Sequence, residues 1–568
     1  MVYETGHTTA IPRMMATLKP HQIKGLEWMQ GMEAREDTSG GVLADDMGLG
    51  KTLEALALIC SDVPEKGQPK PTLVVVPRIL VKQWVDEIKR YTHLKVGFHL
   101  ETRSEFTTNR YKRKYDIVLT TYTILSSLYR VAESYDREDV EATIRDFVLF
   151  GIEWRRIILD EAHMIRTIDT KMSLAVRKLM GRKRWCMTGT PIFNHIEDIF
   201  PYFFFTNEMS WEEFQDQILD QAAVPGLAKA RELLAQIMLR RRREECSELK
   251  LPKMSQEDIL VDLGPEEQAI YQNIYSDGVI CANPFLPEGT VLKSLDFSYA
   301  RLTCQRQAAC HPAHLVLSSK SQALEGPVVE ADRPLCMREP FEPLETVHLT
   351  EDLAMEHGLE CYRQDLPDCK LPISSKMREI GRIIDLIHAG DPKDKTLVFC
   401  SWRLMLDLMI HYLEGQGRKC LRLHSKTNEL QREAILQGFK RTKGPNILLM
   451  TPLMGGIGLN LAAANHVILV DPSWSPSTER QAISRVHRLG QKREMTVWKL
   501  LARGTIDEDI VEKQQRKNLI ISHVVEGEPL GAGSVPGLED LSSLTVKDIA
   551  NLYVETPHGT TSVSQDDL

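Results

Sequence analysis

The chain has 568 residues, 42% hydrophobic and 26% charged, with a formal net charge of −9. That length exceeds one core, suggests about three or four domains, and the composition is that of a soluble globular protein able to bury them. The negative balance excludes a globally basic nucleic-acid binder, so any such surface has to be a local basic groove.

In chain order, residues 1–14 read as a tail without an apolar leader core. No apolar run along the chain approaches spanning length, so an intracellular protein with no membrane partner is expected. The 11 cysteines form no C-x-x-C pair and are expected as reduced thiols. Over 15–245, Gly41–Ala44, Thr72–Val76, Asp116–Leu119, Arg156–Asp160 and Trp185–Met187 are short apolar runs separated by helical patterns. Over 375–520 the rhythm returns as Thr396–Cys400, Cys420–His424, Asn446–Met450, His466–Val470 and Val497–Leu501. Such runs indicate buried parallel strands, hence two α/β lobes with doubly wound parallel sheets. The stretch 246–374 lacks the rhythm: Gly264–Ile280 and Ser298–Ala309 look helical, and Ser318–Leu371 is expected as irregular surface. Thr505–Ser522 reads as a charged helix. Residues 521–568 are expected as the end of that helix, a Gly/Pro linker over Gly527–Gly537, a helix over Ser543–Tyr553 and a disordered tail.

Ligands of open parallel sheets gather at the C-terminal strand ends, and the informative residues lie there. After the first strand comes Asp45-Asp46-Met47-Gly48-Leu49-Gly50-Lys51-Thr52. A glycine-bearing loop opening a helix at Gly-Lys-Thr aims backbone N–H groups and one ammonium at a polyphosphate. Lys51 is expected on the β/γ phosphates and the Thr52 hydroxyl on Mg²⁺. The loop departs from the G-x-x-x-x-G-K-[ST] pattern, because Asp45 stands at the first glycine. The strand Arg156–Asp160 ends in adjacent carboxylates, costly without a cation; Asp160 is assigned to Mg²⁺ and Glu161 to the attacking water. Upstream, Gln22 carries an amide able to satisfy both edges of adenine. Thr188-Gly189-Thr190-Pro191 suits a contact that relays nucleotide state. In the second lobe, Gly456 and Gly458 allow close backbone approach to phosphates. Arg485 and Arg488, three apart, are expected on one helical face as an arginine finger.

Taken together, these residues resemble the Swi/Snf-type branch of superfamily-two helicase-like ATPases across roughly residues 15–525. The matching blocks, in family order, are Asp45–Thr52, Asp160–His163, Thr188–Pro191, Gly455–Leu461, Asp471–Pro476 and Gln481–Gln491. Ala44–Met47 and Leu544–Ile549 resemble the helicase-like transcription factor and transcription-termination group, whose short members include global transactivators of large insect DNA viruses. The resemblance implies two tandem RecA-like lobes with helical insertions, ATP and Mg²⁺ as cofactors, and double-stranded DNA as partner. It implies a monomeric nuclear motor that moves along duplex without separating strands and displaces bound proteins such as nucleosomes or a stalled polymerase. A strand-separating helicase and a non-hydrolysing DNA- or polymerase-bound regulator stay open as alternatives. Asp46, Met454 and His424-Ser425 depart from the family's usual residues without removing a catalytic group. Cys304, Cys310, His311 and His314 match its helical segment ending in Cys-His-Pro and are not read as a zinc site. Arg240–Arg243, Arg182–Arg184, Lys112–Lys114 and Lys492-Arg493 are candidate phosphate contacts.

Overall fold

The computed structural model describes residues 11–62, 71–102, 111, 114–135, 139–193, 195–207, 209–221, 223–246, 251–282, 295–312, 346–349, 369–424, 427–441, 443–452, 459, 461–488 and 490–527. The chain divides into two units, one running to Lys250 and taking in the stretch from Arg516, the other running from Leu251 to Gln515.

The first unit is built on a seven-stranded sheet. Its strands are β1 (Gly40–Leu43), β2 (Thr72–Val76), β3 (Val96–His99), β4 (Ile117–Thr121), β5 (Glu153–Asp160), β6 (Met180–Met187) and β7 (Met238–Leu239), in spatial order β3-β4-β2-β5-β6-β1-β7. Every pairing is parallel. The chain returns between strands through helices such as Lys51–Ser61, Val81–Tyr91 and Tyr122–Tyr135. β2 and β4 are buried at every position, which is why they read as unbroken apolar runs. The leading helix Pro20–Ala34 starts on a proline at its first position, where no backbone donor is needed. Its Glu33 accepts two bonds of 2.6 Å from buried Arg156 of β5 and one of 2.8 Å from the Trp185 indole of β6. That paired, hydrogen-bonded charge fixes the helix across two strands.

The second unit holds a six-stranded parallel sheet. Its strands are β8 (Met254–Val261), β11 (Thr396–Phe399), β12 (Cys420–Leu423), β13 (Ile447–Met450), β14 (His466–Leu469) and β15 (Met495–Ala502), in order β12-β13-β11-β14-β15-β8. A separate antiparallel pair joins β9 (Thr346–Leu349) and β10 (Cys369–Pro372). Ser374 caps the helix Ser375–Gly390 by accepting from the Met377 N–H. Lys376 on that helix is fully buried and donates to Asp507 at 2.6 Å and to the Val470 carbonyl at 2.8 Å.

The two doubly wound α/β lobes match the expectation, and all ten expected strands appear, Thr72–Val76 with the expected ends and the other nine with at least one end shifted. The helices expected over 264–280 and 298–309 appear as Pro265–Ala282 and Leu295–Cys310, and that over 505–522 as Ile506–Ile521. One difference is instructive. The stretch 246–374 was expected to hold no strand, yet β9 and β10 pair largely within the part read as irregular surface and β8 pairs along its full length with β15. Its run Met-Ser-Gln-Glu-Asp-Ile-Leu-Val is mostly exposed at the sheet edge, so burial never wrote an apolar signature into it. The linker beyond Gly527 and the helix expected over Ser543–Tyr553 lie outside the described residues. No described helix is long and apolar enough to cross a membrane.

Candidate nucleotide site

In the first sheet, register places Asp160 of β5, Met187 of β6, Leu43 of β1 and Leu239 of β7 in one row across four adjacent strands. Because the strands are parallel, the residues after each of them emerge side by side at one edge. The loop 44–50, the pair Glu161–Ala162, the turn Thr188–Thr190 and the arginines from 240 are therefore neighbours. Backbone bonds close the row: Thr188 N–H donates to Leu43 at 3.1 Å and Ala44 N–H to Leu239 at 2.8 Å.

The loop bends at Gly48 and Gly50, whose φ values of 93° and 96° belong to the left-handed region that glycine tolerates. The helix starts at Lys51, with half-buried Thr52 in its first turn. Lys51 Nζ donates to the carbonyls of Asp45 at 2.5 Å and Asp46 at 3.2 Å. Burial lowers its pKa, against the opposing pull of Glu161, Asp45, Asp160 and Asp46. A Cβ on Gly189 would lie 2.6 Å from Met47 Cγ and 3.6 Å from Lys51 Nζ, so the Thr-Gly-Thr turn needs glycine to lie against the loop. Gln22 is buried; its Oε1 accepts from Lys19 N–H and its Nε2 donates to the Leu49 carbonyl, both at 3.0 Å.

Asp160 accepts from the Trp84 indole at 2.7 Å and from the Glu161 N–H at 3.0 Å. Burial first, and the Glu161 charge second, push its carboxyl up to about 7. Glu161 stands at φ 52°, ψ 52°, a left-handed conformation for a side-chain-bearing residue, at a cost of about 1–3 kcal/mol. His163 Nδ1 lies 3.4 Å from the Glu161 carboxylate and 3.5 Å from the Thr188 hydroxyl. A hydroxyl and a buried carboxylate are hard oxygen donors of the kind Mg²⁺ takes, and a cation would offset the cost of ionising Asp160. The sign of the linkage follows. A carboxyl whose folded pKa is raised stabilises the fold in its protonated form, fully below its unfolded pKa, and that contribution is lost as pH rises through the folded value. Without nucleotide or metal, this carboxyl's contribution to the melting temperature is expected to fall from about pH 4 to about pH 7, and Asp160→Asn should flatten that part of the profile. An identical slope in the variant would refute the assignment.

Sequence reasoning missed the cations behind the loop. Asp45 and Glu54 are both fully buried. The Arg241 Nε donates to the two Asp45 oxygens at 3.0 and 3.1 Å, and its Nη2 to the two Glu54 oxygens at 3.1 and 2.9 Å. Burial, with Asp45 adding to it, lifts the Glu54 carboxyl to about 8. The Asp45 side chain thus faces inward, onto Arg241, and serves as the anchor of the loop. Asp46 accepts from Arg240 at 3.0 Å and from the Arg243 N–H at 3.2 Å. These contacts correct the reading of Arg240 and Arg241 as DNA contacts. The available signal was two carboxylates, at a glycine position and inside the apolar run Leu53–Ile59, each demanding a buried partner. Other basic residues also have local acids: Arg182 pairs with Glu153, and Arg493 with Asp394. Lys112 and Arg113 lie outside the described residues.

In the second unit the helix is Pro476–Ser484, so Arg485 caps it and Arg488 lies beyond it. The expectation that both share a helical face is corrected. Pro476 opens the helix, and after Ser484 the backbone turns to pair with its own lobe. The Arg485 carbonyl accepts from Leu461 N–H at 3.1 Å, and Arg488 Nη1 donates weakly to the Leu459 carbonyl at 3.4 Å. Both arginines are thus seated against Leu459 and Leu461, while Gly456 and Gly458 lie outside the described residues. Cys310 groups with Cys400 and Asp471, their ligand atoms within 4.8 Å of one another. Asp471 already accepts from Ser401 N–H at 2.8 Å and from Arg306 at 3.1 Å, and burial pushes the Cys400 thiol up, which favours its protonated form over a metal-ligating thiolate.

The SNF2-related domain profile matches residues 21–314, more than half of the chain, and the helicase conserved C-terminal domain profile matches 376–490. The chain is 28% identical to DNA repair protein RAD5B of Arabidopsis thaliana, over 92% of this chain and 48% of that protein. It is 26% identical to transcription termination factor 2 of Drosophila melanogaster, over 95% and 59% respectively. It is 28% identical to the human DNA excision repair protein ERCC-6-like, over 94% and 43%. The chain therefore spans about half the length of these curated relatives. With its nucleotide loop, Asp-Glu strand end and Thr-Gly-Thr turn in one row, and with both profiles in tandem, the chain belongs to the SNF2-related family.

Proposed function

We propose that this protein is a Mg²⁺-dependent ATPase stimulated by double-stranded DNA, which moves along the duplex without separating its strands and displaces or remodels bound proteins. The observation that carries the reading is the single row of Asp160, Met187, Leu43 and Leu239, which delivers a phosphate loop, two carboxylates and a hydroxyl-bearing turn to one edge. Lys51 and the N–H groups of the loop would hold phosphate charge. Thr52 and Asp160 would hold Mg²⁺, which screens the phosphate oxygens when bound. Glu161 would orient water and take its proton. The Gln22 amide keeps one N–H and one lone pair beyond its bonds to Lys19 and Leu49, enough for an adenine edge. Arg485 and Arg488 would neutralise charge developing on the leaving phosphate, and Gly456 and Gly458 would let the backbone approach the phosphate chain.

The names of the relatives support work on DNA in repair or transcription, and a nuclear setting suits either. The test is ATP hydrolysis with and without duplex. Stimulation by about tenfold or more is expected, and equal rates would defeat the reading. Displacement of a triplex-forming strand, without unwinding of a forked duplex, is expected of a translocase; fork unwinding would favour a strand-separating helicase. Capture on nucleosomes, naked duplex and stalled polymerase complexes, compared side by side, would identify the partner.

A further inference from the structure

Arg240 ties the end of β7 to three other pieces of the first unit. Its Nη1 donates to the Ala44 carbonyl at 2.7 Å, where β1 becomes the loop, and at 3.4 Å to the Gly189 carbonyl of the Thr-Gly-Thr turn. Its Nη2 donates to Asp46 at 3.0 Å and to Glu526 at 3.1 Å. The pairs are largely out of water: the side chains of Arg240 and Glu526 are 10% and 12% exposed. Glu526 comes from the far end of the chain, in the π-helical turn Ser522–Glu526 that follows the helix Ile506–Ile521. That turn is anchored by Ile520, Ile521, Val524 and Val525, all buried in the core of the first unit. Arg242 adds a weaker bond to the other Glu526 oxygen at 3.4 Å.

We propose that Arg240 is a positioning residue for the nucleotide loop and that Glu526 sets its orientation, so that the segment following the second lobe tunes nucleotide affinity in the first. The inference rests on the proposed ATP reading of that loop. A planar guanidinium is suited to the task, because its fixed fork serves two carbonyls and two carboxylates at once, which a lysine ammonium on a flexible stem cannot do. Without Glu526, Arg240 loses one of the two carboxylates that fix its plane, and the Ala44–Asp46 turn loses its fixed partner.

Two effects of removing Glu526 oppose each other, and they separate the inference from simple electrostatics. Loss of a negative charge near the phosphate site would by itself tighten nucleotide binding. Loss of positioning weakens it.

The experiment measures binding of a fluorescent ATP analogue and steady-state ATPase on the full chain, for wild type, Glu526→Gln, Arg240→Gln, Arg240→Lys and the Glu526→Gln/Arg240→Gln pair. A charge-assisted hydrogen bond is the unit lost, so Kd and KM are expected to rise by about fivefold in Glu526→Gln and by about tenfold or more in Arg240→Gln. Arg240→Lys should recover only part of the loss, and most of each effect should fall on KM, with less on kcat. The double variant should be no worse than Arg240→Gln, since both changes break one arrangement. Should Arg240→Gln fold poorly, Glu526→Gln with an unchanged melting temperature decides alone. Nucleotide binding in Glu526→Gln equal to or tighter than wild type, or a lowered melting temperature with unchanged Kd, overturns the inference. Failure of the wild-type chain to bind the analogue overturns the ATP reading itself.

Discussion

Glu161→Gln is expected to lower ATP turnover by about 10²–10⁴ while leaving nucleotide binding within about twofold of wild type. The amide keeps the size and shape of the carboxylate but cannot take a proton from water. The backbone at this position is left-handed, held between the end of β5 and the turn Ala162–Ile165, and the substitution leaves that constraint untouched. Binding should survive for an electrostatic reason as well. The Glu161 charge helps raise the pKa of Asp160, so removing it lets Asp160 ionise more readily beside a cation. The measurement is single-turnover hydrolysis together with analogue binding, with Lys51→Ala as the non-binding control. Wild-type turnover in Glu161→Gln would show that another group activates the water.

The second large effect concerns stability. Arg241→Met should destabilise the protein by about 3–5 kcal/mol, because it strands two carboxylates that are wholly out of water. For a unit of this size that corresponds to a fall in melting temperature of about 6–20 °C. Asp45 and Glu54 share this one guanidinium, which also donates to the His21 carbonyl, so no water-exposed group stands ready to replace it. Adding Asp45→Asn to Arg241→Met should recover part of the loss, since the buried carboxylate that Arg241 partners is then replaced by a neutral amide. Arg242→Met is the matched control: that side chain is 38% exposed, and a shift within about 0.5 kcal/mol is expected. Equal melting temperatures for Arg241→Met and wild type would mean that the cluster behind the loop contributes nothing to the fold.

The sequence was explicit where chemistry and burial demand particular residue types. Buried parallel strands such as Leu73–Val76 have few options besides branched apolar side chains, and a phosphate loop needs glycine where φ is positive, so both are written locally. The pairs Lys51–Thr52 and Asp160–Glu161 could be named from spacing, and the structure brings them to one sheet edge. By contrast, an edge strand such as β8 spends its length in solvent and pairs on one side only, so nothing in its composition distinguishes it from a loop. The helix ending at Ser484 was overrun for a related reason: Arg485 and Arg488 fit helical spacing, and only backbone pairing with Leu461 shows that the helix has stopped.

What the residues alone determined was the class of fold and the list of groups able to handle a nucleoside triphosphate, since those depend on side-chain chemistry and short-range backbone needs. Tertiary structure decided which charges face which. Arg240 and Arg241 read as candidate phosphate contacts until sheet register places them beside Ala44 and Asp45, residues nearly 200 positions away. Ion pairing depends on distance in space and on exclusion of water, and neither quantity is encoded in the neighbours of a residue along the chain.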